Sequence, residues 1–183
     1  MDSRDGSPQN DGGVDHVLAF WETVPTIVFD HRLDVLDSNG LAQALSGAFH
    51  PGENLARFSF LSPDRDSAHP RWKEMSTVVA GLLRESLEEH EEDRVSQRIV
   101  GELSAKSRDF AEVWAAPGTT LHMAGRIVFE GTRVGDLALT YQMLNVLGQD
   151  DRALIVFAAS DDASRDSLAR LRSELAEGSE PVG

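Results

Sequence analysis

The sequence contains no cysteine. Disulfides, thiolate metal sites and cysteine nucleophiles are therefore excluded. Basic residues are scarce as well: 17 Lys and Arg stand against 31 Asp and Glu, a formal net charge of −14. Such a surface repels the phosphate backbone that Lys and Arg would have to neutralise, so direct nucleic-acid binding is not expected. No apolar run approaches the roughly 20 residues of a membrane-crossing helix, and the start lacks the basic and apolar regions of a secretion signal. A cytoplasmic location is the resulting expectation. Signatures of catalysis are also missing: no glycine-rich phosphate loop, no nucleophile elbow, and no His-Glu-x-x-His helix that would set two imidazoles on one face. The six histidines are scattered. His16 falls in the leader, His31 and His50 in turns, His69 before a proline, and His90 in a charged helix end. No metal site, no cofactor and no catalytic residue is expected.

What is present fits one domain of 183 residues, long enough to bury a core without metals or crosslinks. Residues 1–15 are acidic and glycine-rich, too poor in apolar residues to repay the entropy of ordering, and read as a flexible leader. The folded domain is expected over 16–162, with a short helix and frayed tail over 163–183. Val17, Leu18, Phe20, Trp21 and Val24 suggest an amphipathic helix that stops before Pro25. Thr26 to Asp30 and Leu33 to Asp37 read as a hairpin of two strands about His31-Arg32. Asn39 precedes Leu41, Ala42 and Leu45, where its side chain either caps a helix or contacts a ligand.

From Pro70 a long helix is predicted, because Trp72, Met75, Val79, Leu82, Leu83 and Leu87 recur at spacings of three and four. The acidic run Glu88 to Asp93 reads as its solvated end. The next helix is predicted to carry Val95, Ile99, Val100 and Leu103 inward. Ser107 is placed to cap one more, bearing Phe110, Val113 and Trp114. After Pro117-Gly118 the pattern turns to strands. His122 to Glu130 and Gly135 to Leu147 flank a short Gly-led loop, and Ala153 to Ser160 is apolar on both faces, as a central strand would be. Leu137, Leu139, Tyr141 and Met143 alternate with polar residues and should face the helices. The fold class is α+β, an antiparallel sheet of about five strands with helices on one face.

Several of these segments resemble the ligand-binding domain of the MmyB-like transcription regulators: Gly101 to Ser107, Phe110 and Trp114, then Val134 to Tyr141 and Leu144. The likeness extends to Pro25 to Asp30, Asp34-Val35-Leu36, Asn39, Asn54-Leu55, Phe60-Leu61 and Trp72. It implies a PAS-like fold that encloses a hydrophobic small molecule, fatty-acid-like or a secondary metabolite. Family members usually carry a helix-turn-helix domain ahead of this region, and here the acidic leader stands in that place. Asp37-Ser38 and Thr132-Arg133 also replace a Trp and a His-Pro common in the family. The expectation is a stand-alone sensor in transcriptional or pathway regulation, acting through a protein partner such as a full-length regulator or a second copy. A biosynthetic enzyme using the same pocket for a cofactor-free cyclisation or isomerisation is the alternative, with Tyr141 and His122 as its first candidates. The expected ligand-binding residues are Phe29, Asn39, Phe60, Trp72, Met75, Val79, Phe110, Trp114, His122, Leu139, Tyr141 and Met143.

Overall fold

The computed structural model describes residues 21–62, 70–116, 123–146 and 151–178, with residues 70–74 described by backbone alone. The expected leader therefore lies outside the described residues. Five strands form one antiparallel sheet in the order β2-β1-β5-β4-β3. They are β1 (Thr26–Asp30), β2 (Val35–Ser38), β3 (Ala124–Thr132), β4 (Gly135–Asn145) and β5 (Arg152–Ala159). Between β2 and β3 run α1 (Gly40–Leu45), a 3-10 turn (Gly47–Phe49), α2 (Leu55–Leu61), α3 (Pro70–Glu89), α4 (Arg94–Lys106) and α5 (Arg108–Ala115), and α6 (Asp162–Gly178) follows β5. This is the α+β, PAS-like architecture that the sequence suggests, with β5 in the central position its two apolar faces require.

Alternation decides which face of the sheet is covered. On β4, Leu137, Leu139, Tyr141 and Met143 are buried while Thr140 and Gln142 are exposed. The buried set joins Ile127, Ile155 and Phe157 of the neighbouring strands and Leu55, Phe60, Val79, Leu83, Ile99, Leu103, Phe110 and Leu171 of the helices in one core. A smaller cluster lies on the opposite face, where Val28 and Leu154 are covered by Trp21 and Val146. Residues 17–20 of the helix expected before Pro25 are outside the described residues. Its last residues form a turn instead, with the Val24 N–H donating to the Trp21 carbonyl at 3.3 Å.

Caps set the helix starts. Ser107 accepts from the Phe110 N–H at 3.2 Å, which begins α5 where expected. The Asn39 side-chain oxygen accepts from the Ala42 N–H at 3.0 Å and the Thr26 N–H at 3.2 Å, and its amide donates to the Trp21 and Val24 carbonyls. Both ends of that amide are thus occupied in joining α1 to the start of β1.

Two register expectations are corrected. Leu33 belongs to the β1–β2 turn rather than to β2. It takes a positive φ of 66°, held there by Asp30, whose carboxylate accepts from the N–H groups of Arg32 and Asp34, and by burial of its own side chain. Val95, expected inward, is exposed, and Ser96 is buried in its place. The reason is Asp93, which caps α4 through the Val95 N–H and accepts from the Ser96 hydroxyl at 2.8 Å, fixing the helix phase.

Asp93 also departs from the expected solvated helix end. The Arg32 guanidinium donates to it at 2.7 Å and His31 Nε2 lies at 3.1 Å, tying the β1–β2 turn to α4. The guanidinium, with the Val95 N–H, the Ser96 hydroxyl and His31, holds its carboxyl well below the usual carboxylate range, against the opposing effect of burial. A depressed acid stabilises the fold fully above its unfolded pKa, and that contribution is lost as pH falls through its folded value. Asp93→Asn keeps a competent cap but loses the charge, and should cost about 1 kcal/mol at neutral pH. Urea melts of both proteins should show the difference closing below about pH 4. A difference independent of pH would assign the effect to packing instead.

Candidate functional site

An apolar hollow lies between the sheet and the first helices. Its volume is about 390 Å³, within the range of small-molecule sites. Local sequence builds each wall. The Ser46 hydroxyl accepts from the Ala48 N–H at 3.2 Å and starts the 3-10 turn, which presents Ala48 and Phe49. Asn54 starts α2 in the same way, accepting from the Arg57 N–H at 3.0 Å, and α2 contributes Leu55, Phe58 and Ser59. The apolar stripe of α3 supplies Met75, Val78, Val79 and Leu82. The sheet provides the floor: Ile127 and Phe129 from β3, Tyr141 and Met143 from β4, Ile155 and Phe157 from β5.

Rigid contacts hold this floor. Phe49, Phe129 and Phe157 meet one another with centroid separations of 5.8, 5.6 and 5.6 Å, two of the three pairs edge-on. Tyr141 faces Gly125 across the β3–β4 pairing. A Cβ at position 125 would stand 2.7 Å from the tyrosine hydroxyl and 2.8 Å from two ring carbons, so the ring lies flat against a strand that only glycine leaves low enough. The residues with polar side chains in the lining are Ser46, Ser59, Glu130 and Tyr141, of which Glu130 is itself exposed. Among the described residues no Lys, Arg or His lines this cavity.

The structure separates the expected ligand-binding residues into groups. Met75, Val79, Tyr141 and Met143 come together in the cavity wall. Phe29 instead lines a second hollow of about 600 Å³, which adjoins the first at Met143 and Leu82. Phe60, Phe110 and Leu139 are fully buried in the core, away from both linings. Phe110 lies edge-on to Phe60 at 4.9 Å and stacks on Trp114 at 5.2 Å, and Arg84 covers Trp114 at 4.7 Å. That aromatic column braces α2, α3 and α5 against one another. Asn39 borders neither hollow. Trp72 and His122 lie outside the described side chains.

A model of the MmyB-like transcription regulator ligand-binding domain matches residues 11–175. The chain belongs to this family. No curated protein sequence matches it. As an MmyB-like domain it is a regulatory ligand-sensing unit, and no helix among the described residues is long and apolar enough to cross a membrane.

Sequence reasoning missed Phe49, Ile127, Phe129, Ile155 and Phe157 as lining residues of the MmyB-like domain. For Ile155 and Phe157 the signal was available, because they alternate with outward residues on a strand already read as central. For Phe49 there was none: it sits on a three-residue turn whose direction depends on tertiary packing.

Proposed function

We propose that this MmyB-like domain binds an apolar small molecule in the cavity between α2, α3 and the sheet, and that occupancy is read by a protein partner in regulation. The observation that carries the proposal is the composition of the wall. Aliphatic and aromatic side chains form nearly all of it, a few hydroxyls supply hydrogen bonds, and the described lining has one carboxylate and no cation. The hydroxyl-bearing residues of the wall are Ser46, Ser59 and Tyr141. An anion would be buried among apolar side chains with no cation in the described lining, whereas an alcohol, ester or amide loses little on entry. The favoured ligand is therefore an uncharged relative of a fatty acid or an apolar metabolite with a neutral polar end.

Matched chains test this reading. At neutral pH, decanol and methyl decanoate should raise the melting temperature, reaching about 2.7 kcal/mol of stabilisation at 100-fold excess over the dissociation constant, and decanoate should do so far less. Equal or greater stabilisation by decanoate would contradict the uncharged headgroup. No stabilisation by any of the three would contradict an apolar site.

A further inference from the structure

The second hollow, which adjoins the apolar cavity at Leu82 and Met143, gathers three residues distant in sequence. His31 lies in the β1–β2 turn, His90 directly after α3, and Asp151 directly before β5. The His31 N–H donates to the Asp151 carbonyl at 3.0 Å, and the two imidazoles stack with centroids 4.4 Å apart. One ligand atom from each of the three residues lies within 4.8 Å of the others.

Hydrogen bonds fix which nitrogens are available. His90 Nδ1 is 3.1 Å from the Ser86 carbonyl, an acceptor only, so Nδ1 carries the proton and donates. In the neutral ring Nε2 then keeps its lone pair, 3.2 Å from Asp151 Oδ1, acceptor against acceptor. His31 Nε2 donates to Asp93, a carboxylate already engaged by Arg32. That leaves Nδ1 of His31 with a lone pair, and it is buried without a hydrogen-bond partner. The Ser86 hydroxyl in the same lining is also buried and unpartnered. Unsatisfied buried polar atoms are uncommon, and a bound ion or water is a usual reason for them. The arrangement matches metal-binding histidines, which donate the second ring N–H to a carboxylate or a backbone carbonyl and so present the ligating nitrogen in a fixed tautomer.

We infer that His31, His90 and Asp151 form a binding site for a divalent transition-metal ion, zinc being the best match to two imidazoles and a carboxylate. Metal bonds of about 2.0–2.2 Å require the three groups to draw closer than they stand and the two stacked imidazoles to tilt until their in-plane lone pairs converge. Asp151 is free to do so, since its side chain is 68% exposed and sits on the β4–β5 connection. Asp30, Glu85 and Glu89 border the same hollow and outnumber Arg152, its one Lys or Arg among the described residues, which favours a cation there. Three protein ligands leave a coordination position for water or a small anion. The ion would clamp the β1–β2 turn, the end of α3 and the start of β5.

The test is cobalt and zinc titration of the whole chain after chelator treatment. Cobalt should give visible d–d bands of a site with nitrogen and oxygen ligands, saturating at about one equivalent, and zinc should displace it. Asp151→Asn alters an exposed side chain and His90→Gln a half-exposed one, so both variants should fold. Each should weaken zinc at least tenfold. His50→Ala, on an exposed residue elsewhere, should leave it unchanged. Absence of saturable binding, or zinc affinity unaltered in both Asp151→Asn and His90→Gln, would overturn the assignment and leave a histidine–aspartate contact as the meaning of the cluster.

Discussion

Phe110→Ala is expected to cost about 3–5 kcal/mol of folding stability. The ring is fully buried, edge-on to Phe60 at 4.9 Å and stacked on Trp114 at 5.2 Å. Its removal leaves a hole where α2, α3 and α5 meet, and the neighbours cannot close it easily. Phe60 is itself fully buried, and Trp114 is held by Arg84, which lies over its ring and donates to its carbonyl at 2.7 Å. Trp114→Ala should cost less, because that ring is only half-buried. Urea unfolding followed by fluorescence and by circular dichroism measures both. A loss below about 1 kcal/mol for Phe110→Ala would mean that the aromatic column does not brace the helices.

Gly125→Ala should block the apolar cavity from its floor. The new methyl would sit 2.7 Å from the Tyr141 hydroxyl and 2.8 Å from its ring, well inside contact distance. Backbone on a paired strand moves little, so the ring must rise, and the space above it is the cavity that Tyr141 lines. Overpacking of this kind costs about 1–3 kcal/mol. Affinity for decanol should fall at least tenfold, about 1.4 kcal/mol, because the displaced ring occupies ligand volume. Tyr141→Leu in the same chain removes the clash and should restore most of the stability. Reduced stability with unchanged affinity would place the ligand elsewhere.

Much of this fold was legible because it rests on local pattern. Alternation from Leu137 to Met143, the two-faced apolarity of β5, the stripe of α3 and the caps at Asn39 and Ser107 each follow from periodicity or from a short side chain at a helix start. What was not legible depends on contacts between distant segments. Val95 and Ser96 exchange places because Asp93 answers to Arg32, 61 residues away. The ring of Tyr141 owes its position to a glycine on another strand. His90 and Asp151 are likewise 61 residues apart, and no spacing rule relates them. The site was only partly readable for the same reason. Apolar periodicity names the residues that face inward, but it does not say which of them meet a void, as Met75 and Tyr141 do, and which meet one another, as Phe60 and Phe110 do.

The central claim, that an apolar molecule occupies the cavity under α3, is tested most directly by the methionine methyl groups. The chain has four methionines. Met75 and Met143 line the cavity, while Met123 is 43% exposed and lies outside that lining. In a titration of methyl-labelled protein with decanol followed by NMR, the Met75 and Met143 signals should shift together and saturate at a single dissociation constant, with Met123 unmoved. A Met75 signal that stays in place through saturating decanol, whatever the other methyls do, would contradict the account.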